Sequence, residues 1–337
     1  MQPGTARDGD AVRDLGEDRF VAGVLARYPA SPGFVLVGPG DDAAVLDLPG
    51  RVVASTDTLV EGHDFLLTWS TGHDLGVKVA AQNLADVAAM GAVPRALLVS
   101  LCVPPDQPAA WAQGLADGLA DECARAGAAV VGGDVSAAGL VVVTGTALGV
   151  LDGDLPPVRR SGAVAGQVIA LGGPTGRSAA GLALLRAGVP REELEPWAAD
   201  LVTAHLAPRP PHGLGVVAAR AGAGSMIDTS DGLLRDAGRL AVASAVALDL
   251  EPDALRPGPA LVRAAEMLGD PALAPAWVLT GGEDHALLAT FPPDGVPAGF
   301  VPVGRVLAAG SLREAVAGEV LVGGRRRAGP TGWVHFG

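Results

Sequence analysis

RALLVSLCVPPDQPAAWAQGLADGLADECARAGAAVVGG (95–133) reads as a buried strand, a helix and a second buried strand. Residues 95–103 are an apolar run, residues 108–126 are alanine-rich with apolar positions at helical spacing, and 128–133 return to a short valine-centred run. The same alternation extends outward. Upstream lie FVLVG (34–38), RVVAST (51–56) and a helical stretch over 72–90; downstream lies LVVVTGTALGV (140–150). Such alternation specifies layered α/β or α+β architecture. The paired prolines of LDGDLPPVRRSGAVAGQ (151–167) interrupt it and mark a domain junction. A second α/β pattern follows: VIALGG (168–173), a helix over 177–187, SMIDTSDGLLRDAGRLAVAS (225–244), a strand pair over VLTGGEDHALLATF (278–291) and FVPVGRVL (300–307). The expectation is two α/β domains, residues 1–151 and 152–337, with no fixed-period repeat.

Composition narrows the function. The 337 residues are 49% hydrophobic and 18% charged, which allows a large core and disfavours disorder. Against 24 Lys+Arg stand 37 Asp+Glu, and a net charge of -13 argues against nucleic acid or an anionic membrane as partner. The 48 glycines and 27 prolines follow no period, which excludes collagen. Lys78 is the only lysine, and its setting, LGVKVA, is neither a P-loop nor a protein-kinase motif. ATP, if bound, is handled by another route. Two cysteines make neither a disulfide framework nor a zinc site, and Cys102, in an apolar strand, is expected to be buried and inert. The acidic N-terminus lacks the apolar stretch of a signal peptide, and no run of about 18 apolar residues is present to span a bilayer. A soluble, cytoplasmic protein is expected.

The placement of aspartates carries the chemistry. Asp41 and Asp42 follow VLVGPG, Asp57 ends VVASTD, Asp134 ends AVVGGD, and Asp228 and Asp231 follow SMI. Each is expected just past the C-terminal end of a buried strand, where α/β folds build sites. Asp86 instead belongs to a helix, where Lys78, Gln82 and Asp86 at i, i+4 and i+8 form one polar stripe facing solvent or a polar cavity. Carboxylates converging on one cleft repel unless cations separate them. Oxygen ligands without His or Cys select Mg²⁺ or Ca²⁺, and Mg²⁺ completes its shell with water and substrate phosphate. Several magnesium ions with a nucleotide fit this pattern; isolated capping and turn duty is the alternative for any single Asp.

GPGDD (38–42) is a tight turn delivering two carboxylates, with Asp41 either a ligand or a turn residue. GGPTGRSAAG (172–181) runs from strand to helix and either cradles phosphate on its N–H groups or is an ordinary connection. Arg159 and Arg160 could clamp phosphate at the junction or sit solvated. The histidines, at 63, 73, 205, 212, 285 and 335, are scattered without metal spacing, so core or surface duty is expected of them.

GDDAAVL (40–46), STDTLVEG (55–62), NLADVAAMGA (83–92), GGD (132–134), RSGA (160–163), IDTSDGL (227–233) and GGEDHAL (281–287) occur in this order, between GEDRF (16–20) and GWVHF (332–336). Together they resemble the thiamine-monophosphate kinase family, within the aminoimidazole-ribonucleotide-synthetase-like superfamily. The resemblance implies ATP-dependent phosphorylation of thiamine phosphate to thiamine diphosphate, the last step of that cofactor's biosynthesis. It implies an N-terminal metal- and ATP-binding domain of the synthetase type, a C-terminal α/β domain completing the site, and a homodimer through the N-terminal domains. By motif it implies metal ligands Asp42, Ser55, Thr56, Asp57, Asp86, Asp134, Asp228 and Asp231, with ATP contacts from Gly133, Asp134, Arg160 and Ser230. Substrate contacts would be Asp64, Glu283 and Trp333. The family's GxHF segment here reads GHDF, with Asp64 in the histidine's place and His63 before it, so either could take that role.

The implied chemistry suits these residues. A phosphate nucleophile is already anionic and needs no base, so Mg²⁺-assisted in-line transfer requires no covalent residue. Glu283 and Trp333 suit a cationic thiazolium and an aminopyrimidine. The rivals are a sibling synthetase or a non-enzymatic nucleotide sensor. A selenophosphate enzyme is disfavoured, because no cysteine precedes Cys102.

Overall fold

The protein is described by a computed structural model over residues 11–311 and 315–334. His335 and Phe336 of the GWVHF segment lie outside the described residues. The chain divides into two compact units, Met1–Val87 with Val93–Leu151, and Ala88–Ala92 with Asp152–Gly337.

The first unit runs α1 (Val12–Leu15), α2 (Glu17–Leu25), β1 (Val35–Val37), β2 (Val45–Leu46), β3 (Val52–Val60), α3 (Gly72–Ala89), β4 (Ala92–Val103), α4 (Ala109–Ala126), β5 (Ala129–Ala137) and β6 (Val142–Leu151). The helix α3 and the strand β4 meet at the short segment that belongs to the second unit. A four-stranded sheet has the order β3-β6-β4-β5. In it β4 and β5 are parallel, as a strand–helix–strand crossover requires, while β3 and β6 are antiparallel from Val52↔Val150 to Val60↔Val142. Both β3 and β5 continue beyond the apolar runs that announced them. Thr58, Leu59 and Val60 pair with Thr144, Val143 and Val142, since β-branched residues suit the pleat on either side of a polar one.

Helices α3 and α4 approach to backbone contact. A Cβ on Gly76 would lie 2.1 Å from the Leu115 carbonyl oxygen, and one on Gly118 2.1 Å from that of His73. Glycine costs a helix interior about 0.5–1 kcal/mol relative to alanine. Here the close approach offsets that cost by burying Leu75, Val77, Val79, Leu115 and Leu119 completely or nearly so.

The second unit runs β7 (Val168–Gly172), α5 (Arg177–Arg186), α6 (Pro196–Leu206), α7 (Gly213–Arg220), β8 (Ser225–Asp228), α8 (Leu233–Ser244), β9 (Ala247–Leu250), α9 (Pro259–Met267), α10 (Leu273–Thr280), β10 (Leu287–Phe291), β11 (Val301–Leu307), β12 (Val320–Val322) and β13 (Arg325–Arg326). Its seven-stranded sheet has the order β13-β12-β9-β11-β7-β10-β8. Every residue of β8, β9 and β10 is buried, so these strands are covered on both faces. The core joins Met226, Leu287, Ala289, Phe291 and Phe300 to Ala218 and Ala219 of α7, with the two phenylalanine rings edge-on at 5.2 Å. Ala89 belongs to the same core.

One sequence expectation fails here. VLTGGEDHALLATF is not a strand pair: 273–280 is helical, 281–286 is loop, and only Leu287–Phe291 is extended. LAPAWVLT is apolar throughout, a pattern that a buried helix and a buried strand share. Ala274, Trp277 and Val278, at helical spacing, are the buried side. Among the described residues no helix is long and apolar enough to cross a membrane.

Gly118→Ala should destabilise the first unit by about 1–3 kcal/mol or more, since backbone and not a movable side chain blocks the added methyl. Chemical denaturation of both proteins checks this. An unchanged midpoint and slope would mean the helices separate without cost.

Candidate functional site

In the first unit the candidate polar residues lie on β3 and α3, which hydrogen bonds join, and on β5, at the opposite edge of the four-stranded sheet from β3. Asp57 and Asp134 do not stand past strand ends as expected; both lie inside strands, Asp57 opposite Gly145 and Asp134 opposite Ser100. Asp57 is placed by Asn83, which is fully buried. Asn83 Oδ1 accepts the Asp57 N–H at 2.9 Å, and Asn83 Nδ2 donates to the Val79 carbonyl at 2.9 Å. Gly145 leaves room for that amide: a Cβ there would fall 2.5 Å from Asn83 Nδ2. Ser55 Oγ donates to Asp86 Oδ2 at 2.7 Å, and Thr56 Oγ1 donates to the Gly145 carbonyl at 2.8 Å. Asp134 Oδ2 accepts from Ser136 Oγ at 3.2 Å. Gly133 must be glycine, because a Cβ would lie 2.0 Å from the Val99 carbonyl oxygen of the neighbouring strand.

The stripe Lys78–Gln82–Asp86 faces inward: Lys78 and Gln82 are buried and Asp86 is half-buried. Lys78 Nζ donates to the Asp64 carbonyl at 3.4 Å. The Asp64 carboxylate turns back to accept the Val60 N–H at 2.8 Å, while His63 is exposed. In the GPGDD turn Asp41 and Asp42 are both exposed, and Asp41 Oδ1 accepts the Asp42 N–H at 3.2 Å, a turn-forming bond. Cys102 is half-buried, not buried as expected; Cys123 is the buried thiol, and burial pushes its pKa up. Cys123 lines a cavity of about 300 Å³ with Tyr28, Pro32, Phe34 and Val130, none of them a candidate residue.

In the second unit IDTSDGL leaves β8 and GGEDH enters β10, two adjacent strands. Asp228 is buried, with Oδ2 3.1 Å from His285 Nδ1. Asp231 is ion-paired with Arg239 and with Arg235. Asp236 is fully buried and accepts the N–H groups of Asp231 (3.0 Å) and Gly232 (3.1 Å), which fixes the turn. Burial pushes its carboxyl up to about 6, the Asp228 charge adds to this, and the Asp231 N–H and Arg239 oppose it. Ser230 contributes its carbonyl, which accepts the Glu283 N–H at 2.8 Å.

The GGEDH loop is strained. Glu283 and His285 have φ of 62° and 51°, left-handed values that cost a residue with a Cβ. Asp284 between them holds the loop by accepting the N–H groups of Gly176 (2.6 Å) and Ser178 (2.9 Å) at the start of α5. Those donors of GGPTGRSAAG are therefore spent on a carboxylate of the protein itself. Burial pushes the Asp284 carboxyl up to about 6 against these two bonds. Glu283 Oε2 lies 3.1 Å from His205 Nδ1. The backbone N–H of Trp333 donates to the Asp231 carbonyl at 2.8 Å, and the residue is 54% exposed. Arg159 and Arg160 are exposed, with the Arg160 carbonyl held by Ser244 Oγ at 2.8 Å.

Asn83 and Asp236 are not singled out by the sequence, His205 and His285 are expected only in core or surface duty, and Asp284 is noted only beside Glu283 in the TGGED turn. Asn83 and Asp284 lie within quoted motifs, and Asp236 five residues after Asp231 is a recognisable turn-capping spacing; His205 carries no local signal. Among the described residues, no three His, Cys, Asp or Glu side chains form a ready metal cage.

A family model described as "AIR synthase related protein, N-terminal domain" matches residues 40–151. The chain is 48% identical to the thiamine-monophosphate kinase of Mycobacterium tuberculosis, covering 98% of this chain and 95% of that protein. It is 40% identical to the thiamine-monophosphate kinase of Corynebacterium glutamicum over 90% of each. Among solved structures, AaThiL complexed with AMPPCP and TMP is similar at 28% identity and a TM-score of 0.77, covering 97% of this chain and 99% of that one.

The buried Asp284 makes a pH prediction. Its folded pKa is raised to about 6 from 3.8, so between these values the folded state holds a proton that the unfolded chain releases. Stability from this group is therefore full below about pH 4 and lost as pH rises through about 6, a loss on the order of 2–3 kcal/mol. Denaturation of the protein and of Asp284→Asn at intervals from pH 4 to 7 should give a shallower decline in the variant. Equal declines would contradict the assignment.

Proposed function

Because the chain belongs to the thiamine-monophosphate kinase family, we propose that it transfers the γ-phosphoryl group of ATP directly to the phosphate of thiamine monophosphate, giving thiamine diphosphate and ADP. The observation that carries this reading is full-length similarity to kinases of that name, joined by likeness to a structure holding an ATP analogue and TMP. An acceptor phosphate oxygen bonds to the γ-phosphorus as the bond to the β,γ-bridging oxygen breaks and ADP leaves. That oxygen is anionic near neutral pH, so no general base is needed. The two carboxyls raised to about 6, Asp236 and Asp284, are engaged with backbone N–H groups and serve as scaffold.

The donor set fits magnesium. In the first unit it is oxygen alone, Asp42, Ser55, Thr56, Asp57, Asp86 and Asp134, and magnesium typically takes only one or two carboxylates alongside water and phosphate. Bound there, magnesium would neutralise the charge of the phosphates. Asp228 and Asp231 belong to the proposed ligands as well; for Asp231 that means exchanging Arg239 and Arg235 for a cation. ATP is assigned to Gly133, Asp134, Arg160 and Ser230. The acceptor's thiamine moiety is assigned to Glu283, whose side chain is a third exposed, and to the indole of the exposed Trp333. Asp64 shares that role by motif, although its carboxylate already serves Val60 and the exposed His63 stands beside it. We also assign the protein to the cytoplasm, as a homodimer through the first unit, whose sheet leaves Leu98 and the Thr56–Thr146 and Thr58–Thr144 hydroxyl pairs accessible.

One assay tests this. ADP release should require Mg²⁺ and thiamine monophosphate, with neither free thiamine nor formylglycinamidine ribonucleotide accepted. Free thiamine presents a neutral alcohol, and the proposed direct transfer uses no base to deprotonate it. Asp57→Asn and Asp134→Asn should lower kcat by about 100-fold or more while the proteins stay folded. Full turnover in excess chelator, or robust phosphorylation of free thiamine, would contradict the proposal.

A further inference from the structure

Glu283 is held in a costly way. Its left-handed φ of 62° would suit glycine, and two glycines, Gly281 and Gly282, immediately precede it. Its backbone is pinned from both sides, by its own N–H on the Ser230 carbonyl and by the Asp284 carboxylate on Gly176 and Ser178. What the pinned backbone leaves variable is the side-chain rotamer, and the buried imidazole of His205 is one restraint on it. Nδ1 of His205, at the end of α6, lies 3.1 Å from Glu283 Oε2 and 3.0 Å from Ser178 Oγ. A carboxylate only accepts, so Nδ1 carries the proton it shares with these two oxygens. Ser178 thus grips the loop through its N–H on Asp284 and braces the imidazole through its hydroxyl. Both Ser178 and His205 are buried, whereas the Glu283 side chain remains 33% exposed and can meet a ligand.

We propose that His205, braced by Ser178, is a positioning residue that fixes the Glu283 carboxylate in the orientation in which it receives the thiamine moiety. This rests on the reading of Glu283 as an acceptor contact. Without the imidazole, the glutamate loses one of its restraints and binding must order it more fully, which weakens acceptor affinity and leaves phosphoryl transfer itself little changed.

Steady-state kinetics of the full-length protein with Mg-ATP and thiamine monophosphate decide it. His205→Leu should raise KM for thiamine monophosphate about tenfold, with kcat within about twofold and KM for ATP unchanged. His205→Asn, whose amide can donate from near the Nδ1 position, should recover most of that loss. Equal behaviour of the Leu and Asn variants, or a parallel rise in KM for ATP, would overturn the proposal, since a merely structural histidine gives that result. If His205→Leu does not fold, Ser178→Ala takes its place, with an expected rise of about threefold in the acceptor KM alone and no rise as the contrary result. Glu283→Gln is measured in parallel. No change there would remove Glu283 from the acceptor site and His205's role with it. A raised KM in Glu283→Gln beside an unchanged one in His205→Leu would overturn only the positioning role.

Discussion

The hydrogen bond from the Asp57 N–H to Asn83 Oδ1 couples a helix to the middle of a strand at a residue whose carboxylate is a proposed metal ligand. An aspartate inside a strand is disfavoured, and a buried asparagine is costly unless its amide is satisfied. Each supplies what the other lacks. The arrangement fits only because residue 145 has no Cβ and because Asn83 Nδ2 finds the Val79 carbonyl within its own helix. Around it the sheet stays regular, with Thr56 donating to the Gly145 carbonyl and Ser55 joining Asp86. Apart from Asp42, the first unit thus presents the oxygens of its candidate ligands from regular elements, which place side chains more rigidly than loops do.

The second unit solves the same problem with loops. Two of its carboxylates, Asp236 and Asp284, are buried at the cost of raised pKa values and are spent on backbone N–H groups. What they hold is the IDTSDGL turn and the strained GGEDH loop, so Asp228, Asp231 and Glu283 are displayed on a framework that other acids stabilise. Asp228 and Asp231 are largely covered where they meet His285 and the arginines, whereas Glu283, although it meets His205, keeps part of its side chain open.

Much of this was legible in the sequence. Valine-rich runs and alanine-rich helical periods located the four-stranded sheet and its two long helices, because strand and helix periods differ so clearly there. The apolar stretch at 273–280 misled, since burial on all sides erases periodicity. The aspartates of the site were visible as residue types in motifs, but not their depth within β3 and β5. Strand ends are set by cross-strand partners, here Val142–Thr144, that lie far away in sequence. His205 was illegible for the same reason: it meets Glu283 across 78 positions, and only packing of α5 against α6 brings it there.

In the proposed reaction a phosphate already carrying its charge attacks ATP directly, with the protein supplying charge neutralisation and position and no nucleophile of its own. The stereochemical course at phosphorus tests this most directly. ATP made chiral at the γ-phosphorus with oxygen isotopes, turned over with thiamine monophosphate, should yield thiamine diphosphate with inverted configuration, the mark of a single in-line displacement. Retention would require two displacements through a phosphorylated side chain and would contradict the account.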